Sequence, residues 1–264
     1  MHHAASAITA PDTDHLPAYR QFHDAVARAQ LAAWLPRGRH TIVDISGPRA
    51  AGVELAAIAG HHVLRVIDAR TASRRAANAA RRDQRPARQP KAAAPPGLPR
   101  TILADSSRLS FLCDGCADEV IAEDRALSTY LAAEAMIAEI ARVLRPGGRV
   151  MACVDSLVLG MAVLAGQHRW AHLADLPQAE VVLVPWPDGT ITRCYGPDQA
   201  RELFSGAGLT VDWIRPRTVF SESMVTPVLR RDPASLPRLV RAELAARSDE
   251  SLGAQLVISA SKKG

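Results

Sequence analysis

The chain has 264 residues, of which 48% are hydrophobic, 22% charged and 4% aromatic. This is the composition of an ordinary globular protein, and it excludes a collagen-like or wholly disordered chain. The formal net charge is +5, but residues 69–100 hold nine basic residues and one acidic residue, so they carry +8 and the rest of the chain carries −3. The basic character therefore belongs to one segment.

No targeting or membrane segment is visible in the sequence. The first residues, Met1 to Ala4, are not a basic stretch followed by an apolar one, as a secretory signal would be. The longest nearly apolar stretch, Val150 to Gly166, contains Asp155 and is shorter than the roughly 18 to 20 residues that cross a bilayer. Four cysteines are too few for a disulfide framework in a chain of this length. We expect a cytoplasmic protein with reduced thiols and no membrane contact.

The amino-terminal part alternates helical and extended patterns. Apolar residues at helical spacing predict a helix over His15 to Leu35, and a β-branched run predicts the first strand over Thr41 to Ile45. Helical spacing resumes from Val53 to Gly60, and an apolar run from His62 to Asp68 predicts the second strand. Strand, helix and strand of these lengths suit a parallel βαβ unit.

The segment from Ala69 to Arg100 interrupts this pattern. It is rich in alanine and arginine, and five prolines in its second half prevent a continuous helix. The charge could attract a phosphate backbone, but no aromatic residue lies within the segment to stack on bases. We therefore predict a flexible basic insert at about residues 69–100, and a nucleic-acid partner is disfavoured.

The carboxyl-terminal part repeats the alternation. Strands are predicted at Thr101–Ala104, Glu119–Ala122, Arg149–Val154, Val181–Val184, Thr190–Cys194, Leu209–Phe220 and Ala254–Ala260, and helices at Leu131–Leu144, Pro197–Gly206 and Leu236–Ala246. The alternation predicts a doubly wound α/β fold with a mostly parallel sheet of about seven strands. Residues 1–40 are then a helical lead-in, and residues 41–264 form the α/β domain.

Polar residues follow each of the first four predicted strands. They are Asp44, Ser46 and Gly47 after the first strand, Asp68 at the end of the second, Asp105 and Ser106 after the third, and Glu123 after the fourth. In a doubly wound sheet, ligands bind beyond the carboxyl ends of the strands. An acid that closes the second strand can accept hydrogen bonds from ribose hydroxyls. These seven residues are therefore the predicted binding site for a nucleotide-like ligand.

The pattern resembles that of the class I S-adenosylmethionine-dependent methyltransferases. The run from Val43 to Gly47 and on to Gly60 has the framing of that family's first motif, and Asp68 and Asp105 fall at its ribose-binding and adenine-contacting acids. The helix, turn and strand from Ala138 to Val150, with Arg-Pro-Gly-Gly at its centre, look like another family segment. The resemblance extends from about Ile42 to Ala260.

The resemblance implies a Rossmann-like methyltransferase fold, S-adenosylmethionine as cofactor and transfer of a methyl group to a small molecule. Glu123 and Tyr130 would border the acceptor, but no catalytic residue is assigned. The glycine loop departs from the family pattern, since Ser46, Pro48 and Ala50 stand at the three alternating positions where the family has glycines after its acid, with Gly47 between them. Proline lacks an N–H donor and fixes φ, so this loop differs from a glycine-rich one.

Three alternatives compete with this interpretation. A non-catalytic regulator could keep the fold without the glycine loop, and use the basic insert to contact an acidic partner. A nicotinamide-dependent reductase shares the βαβ start and Asp68, but not the Arg-Pro-Gly-Gly segment. Cys113 and Cys116, with His168 and His172, have ligand-like spacings, but without a second cysteine pair we predict no metal site. The sequence does not determine the oligomeric state.

Overall fold

The computed structural model describes residues 17–47, 50, 53–68, 99–176, 179, 181–186, 189–246 and 252–264. Two features singled out in the sequence lie outside the described residues: Pro48 of the loop, and residues 69–98 of the basic insert. The first sixteen residues of the predicted lead-in also lie outside them.

Helices and strands alternate along most of the described chain. Strands β1 to β9 are Thr41–Asp44, His62–Asp68, Arg100–Ala104, Ala117–Ala122, Leu144–Ser156, Val182–Pro185, Ile191–Tyr195, Leu209–Arg217 and Gln255–Lys262. Helices α1 to α9 are Pro17–Trp34, Val53–Ile58, Ala126–Thr129, Ala133–Val143, Leu157–Gly166, Trp170–Asp175, Pro197–Gly206, Glu222–Arg231 and Leu236–Ala245. A short 3-10 helix, Pro233–Ser235, joins α8 to α9.

Seven of the strands form a sheet in the order β3-β2-β1-β4-β5-β9-β8. Neighbours from β3 to β5 are parallel, whereas β9 runs antiparallel to both β5 and β8. This confirms the predicted α/β fold with its mostly parallel sheet. Strands β6 and β7 form an antiparallel hairpin, and β7 pairs with the end of β5, where Asp155 lies opposite Cys194.

Strand β5 begins five residues earlier than predicted. Leu144 already pairs with Ala117 of β4, and the register shifts between Ala117 and Glu119. The predicted turn after α4 is therefore part of an irregular strand. Gly147 has a φ of +75°, and a Cβ on Gly148 would come within 2.8 Å of the Asp118 carbonyl oxygen. Glycine fits both positions because it has no side chain to clash.

Four helices were not predicted, and α5 shows the reason most clearly. Its sequence from Leu157 to Gly166 is apolar on all sides, so it carries no helical periodicity. The helix begins where the Ser156 hydroxyl accepts the N–H of Leu159. Its apolar side chains pack against the β6–β7 hairpin around Val184 and Trp186. The other unpredicted helices are α3, α6 and α8.

Apolar side chains pack on both faces of the sheet. Val43 and its neighbours pack against α4, which contributes Met136, Ile137 and Ile140. Ile42, which points to the other face, packs with Leu31 and Trp34 of α1 and with α2. Helix α1 therefore covers one face of the sheet. None of the helices in the described part of the chain combines the length and apolar character needed to span a membrane.

Candidate functional site

The carboxyl ends of β1 to β4 lie side by side, and the residues singled out in the sequence lie along this edge. Asp44 and Asp68 are the last residues of β1 and β2. Asp68 is paired with Ala104, so Asp105 follows directly beside it. Glu123 follows the last residue of β4. Parallel pairing thus aligns acids that lie far apart in the sequence.

Asp68 and Asp105 are joined by a tyrosine. The Tyr130 hydroxyl lies 2.8 Å from Oδ1 of Asp105 and 3.3 Å from Oδ2 of Asp68. The Ser106 hydroxyl, which is buried, lies 3.4 Å from the same Asp68 oxygen. We call Asp68, Asp105, Ser106 and Tyr130 the Tyr130 cluster. The sequence predicts Tyr130 beside the acceptor; in the structure its hydroxyl contacts the acids at the end of β2 and after β3.

Tyr130 is a neutral donor in this site. Burial is the largest cause that raises the pKa of Tyr130 to about 12, and the nearby carboxylates of Asp105 and Asp68 act in the same direction. Asp105 is held in turn by the backbone N–H of Ser107, which donates to its Oδ1 at 2.9 Å. The site therefore presents two carboxylates that share one phenolic proton at neutral pH.

Asp44 lies beneath the loop after β1 and is fully buried. Its Oδ1 accepts the backbone N–H of Ser46 at 3.0 Å, and its Oδ2 lies 3.3 Å from Nε of Arg65 on β2. Arg65 also reaches Glu54 on α2 at 3.5 Å. Burial raises the pKa of Asp44 to about 6. This carboxylate therefore fixes the shape of the loop through protein contacts.

Ser46 and Gly47 connect the loop after β1 to the chain after β4. The Ser46 hydroxyl accepts the N–H of Glu123, and the N–H of Gly47 donates to the Glu123 carbonyl oxygen, both at 2.9 Å. A Cβ on Gly47 would lie 2.4 Å from the Asp124 carbonyl oxygen and 2.6 Å from its Oδ2. Only glycine permits this approach of the two loops.

The chain after β4 is strained at two consecutive residues. Asp124 and Arg125 have φ values of 54° and 61°, the left-handed region that side chains other than glycine rarely adopt. The turn directs Arg125 inward, where its Nε lies 2.9 Å from Oδ2 of Asp155 and its guanidinium lies 4.5 Å from the centre of the Trp186 ring. Strained residues of this kind concentrate at functional sites.

Asp155, Arg125 and Trp186 were not identified from the sequence as site residues. We call these three residues the Arg125 cluster, because Arg125 lies after β4, contacts Asp155 near the end of β5 and contacts Trp186 of the hairpin. Asp155 is fully buried, and burial raises its pKa. Its backbone N–H donates to the buried Ser128 hydroxyl at 2.8 Å. The one sequence signal was a charged residue inside the nearly apolar stretch from Val150 to Gly166.

The carboxylate of Glu123 contacts protein groups. Its Oε2 and Oε1 accept hydrogen bonds from the two terminal nitrogens of Arg217, at 2.6 and 2.9 Å. The Nε of Arg217 donates to Gln30 of α1 at 2.6 Å. A cofactor donor at Glu123 would have to compete with this buried ion pair.

The metal-like spacings form no cluster. All four cysteines are free thiols, with Cys113 exposed and Cys116 half-buried. His168 precedes α6 and His172 lies on it. Within the described ranges, no three histidine, cysteine, aspartate or glutamate side chains are arranged so that they could hold a metal ion.

No protein-family model matches this chain, and no curated protein matches it in sequence. Solved structures do match it. An S-adenosylmethionine-dependent methyltransferase from Methanosarcina mazei is 18% identical, with a TM-score of 0.53 over 89% of this chain and 97% of its own. One from Mesorhizobium loti is 16% identical, with a TM-score of 0.54 over 91% of this chain and 100% of its own.

A third match is a Burkholderia thailandensis 1,6-didemethyltoxoflavin-N1-methyltransferase, whose structure contains S-adenosylhomocysteine. It is 16% identical, with a TM-score of 0.50 over 95% of this chain and 80% of its own. At these identities the likeness establishes the fold, which is that of the S-adenosylmethionine-dependent methyltransferases.

Proposed function

We propose that the protein is an S-adenosylmethionine-dependent methyltransferase that acts on a small molecule. The observation that carries the proposal is the pairing of Asp68 and Asp105 at the ends of β2 and β3, on either side of the Tyr130 hydroxyl. Two carboxylates at this edge of a doubly wound sheet suit a ligand that carries hydroxyl and amine donors, as adenosine does. The shared fold adds to this support.

Each site residue has a distinct part in the proposed cofactor site. Asp68 would accept the ribose hydroxyls, while Asp105 and Ser106 would face the adenine. Ser46 and Gly47 would border the methionine part. Asp44 and Glu123 would act mainly by fixing the two loops, because their carboxylates are engaged by Arg65 and Arg217.

The proposed chemistry requires little from side chains. S-adenosylmethionine supplies a methyl group on a positively charged sulfur, which an oxygen, nitrogen or carbon nucleophile displaces in line. The protein's part is to hold the two reactants close and aligned. We assign no catalytic base.

We propose that the acceptor is a small molecule that binds beside the Arg125 cluster. Arg125 comes from the turn after β4 and Trp186 from the hairpin, so two elements border this cluster. The Asn/Asp-Pro-Pro-Tyr/Phe motif found after β4 in amino-directed nucleic-acid methyltransferases is replaced by Glu123, Asp124, Arg125 and Ala126. Free thiols support a reducing, cytoplasmic location.

Calorimetric titration with S-adenosylmethionine and S-adenosylhomocysteine tests the proposal. Both should bind, and Asp68→Asn should weaken them by about 1 to 3 kcal/mol because a charged acceptor is lost. Asp198→Asn, at an exposed position in the first turn of α7, is the matched control and should leave affinity unchanged. Equal affinities for all three proteins would refute the ribose assignment.

A non-catalytic regulator is the second candidate. It is favoured by one observation: the N–H groups of Ser46 and Gly47 are bonded to Asp44 and Glu123. A loop that uses its own donors has fewer for a ligand. Absence of heat and of a thermal shift with either cofactor form would support the regulator, and a response to NADH alone would support a reductase.

A further inference from the structure

We propose that Tyr130 is a gate on the proposed adenosine site formed by Asp68, Asp105 and Ser106, and that a ribose-bearing ligand must displace its hydroxyl from Asp68 and Asp105. The inference rests on the proposed function, because it concerns the same ligand. It assigns to Tyr130 a position that the sequence did not indicate.

The contacts of the phenol carry the inference. Its oxygen lies within 3.3 Å of a carboxylate oxygen on each of two adjacent strands. A hydroxyl has one proton, so it donates to one carboxylate at a time. The shorter distance, 2.8 Å, identifies Asp105 as the main acceptor. The phenol thus offers the two acids the kind of group that a ribose would offer, but with a single proton in place of two.

The surroundings of Tyr130 permit such an exchange. The residue is the last before a short connection between α3 and α4, with an extended backbone at φ −95° and ψ 110°. The next residue, Leu131, is half exposed. On the other side, α3 is anchored by buried Ala126, Leu127 and Ser128. The ring can therefore turn about its own side-chain bonds while the anchored helix stays in place.

The hydrogen bonding favours a ligand with more than one donor. When the phenol leaves, Asp105 keeps the hydrogen bonds from Ser107 and Asp68 keeps the one from the Ser106 hydroxyl, so each carboxylate loses only the phenolic contact. Adenosine replaces the one phenolic proton by separate donors, the ribose hydroxyls for Asp68 and the adenine amine for Asp105. The apparent affinity equals the intrinsic affinity multiplied by the fraction of molecules in which the gate is open.

Tyr130→Phe tests the gate. Removing the hydroxyl should tighten S-adenosylhomocysteine and adenosine alike, by about fivefold, because one net hydrogen bond no longer opposes binding. Tyr19→Phe is the matched control: its hydroxyl bonds the Phe220 carbonyl oxygen at 3.3 Å, away from the site, and it should leave both affinities unchanged. Unchanged or weaker binding by folded Tyr130→Phe would overturn the gate.

A second measurement follows the tyrosine resonances of the wild-type sequence. It has three tyrosines, so fluorotyrosine labelling gives three resonances, which single Tyr→Phe variants assign. With S-adenosylhomocysteine bound, the Tyr130 resonance should gain a larger H₂O/D₂O isotope shift, and those of Tyr19 and Tyr195 should not. A bound protein whose Tyr130 shift is constant refutes the gate alone. A protein that binds neither adenosine nor S-adenosylhomocysteine refutes the proposed function, and the gate with it.

Discussion

Arg217, the last residue of β8, forms a two-point ion pair with Glu123, which follows β4, and both side chains are buried. The pair joins the chain after β4 to a strand on the far side of the sheet. Through Nε of Arg217 it also joins both to Gln30 of α1. The loop that borders the proposed cofactor is therefore held by two distant segments, β8 and α1.

Removing one partner of this pair should destabilise the protein. Glu123→Gln leaves a buried guanidinium without its counter-charge, and we expect a loss of about 3 to 5 kcal/mol in the free energy of unfolding. Glu134→Gln is the matched control, because Glu134 pairs with Arg193 while being 62% exposed, and its loss should stay below about 1 kcal/mol. Urea denaturation measures both. Similar losses in the two variants would contradict the structural role assigned to Glu123.

We expect the free energy of unfolding to depend on pH because of Glu119 on β4. Burial raises the pKa of Glu119 to about 7 from a model-peptide value of 4.5, although Arg149 lies 3.2 Å away and opposes the rise. Because the folded state holds this proton more tightly than the unfolded state, the free energy of unfolding falls as pH rises from about 4.5 to 7. Glu119→Gln should remove that fall, so the free energy of unfolding of the variant should increase relative to that of the wild type as pH rises.

In the Glu119→Gln variant, the free energy of unfolding should still depend on pH because of Asp44. Burial raises the pKa of Asp44 to about 6 from 3.8, so stability also falls between about pH 4 and 6. Denaturation of Glu119→Gln at a series of pH values should keep this earlier fall and lose the one that Glu119 causes. Glu202→Gln, at an exposed position, should keep the full profile of the wild type. An unaltered profile in Glu119→Gln would show that Glu119 does not titrate in this range.

Much of the fold was predictable because local patterns decided it. The apolar run of β2 ends at Asp68, and α7 begins at Pro197 and ends at Gly206, as the proline and glycine signals indicate. The alignment of Asp44, Asp68 and Asp105 followed from strand order alone, since parallel strands end at one edge. Helix α5 was not predicted, because its uniformly apolar sequence has no helical period to detect.

The contacts within the site could not be predicted from spacing. Glu123 and Arg217 are 94 residues apart, and Arg125 and Asp155 are 30 apart, so no local pattern connects them. The left-handed turn at Asp124 and Arg125 could not be predicted, because neither residue type indicates a positive φ as glycine does. Tyr130 was visible as a polar aromatic residue, but only the turn between α3 and α4 directs it to Asp68 and Asp105.

Gly47 offers the sharpest test of how the two loops meet. Gly47→Ala would place a Cβ 2.4 Å from the Asp124 carbonyl oxygen, so one loop must move. We expect a loss of at least about 2 kcal/mol in the free energy of unfolding, and at least about tenfold weaker S-adenosylhomocysteine binding, because overpacking at a tight backbone contact is costly. Gly206→Ala, where an added Cβ meets nothing within 4 Å, should be neutral or slightly stabilising.

A double variant separates backbone from side chain at this contact. Asp124→Ala removes the carboxylate oxygen that lies 2.6 Å from the added Cβ, but it leaves the carbonyl oxygen in place. If the backbone approach sets the requirement, the addition of Asp124→Ala to Gly47→Ala should restore neither stability nor binding. Full restoration would instead assign the requirement for glycine to the Asp124 side chain. Wild-type behaviour of Gly47→Ala itself would mean that the loops after β1 and β4 do not meet as closely as the 2.9 Å bond from the Gly47 N–H to the Glu123 carbonyl oxygen requires.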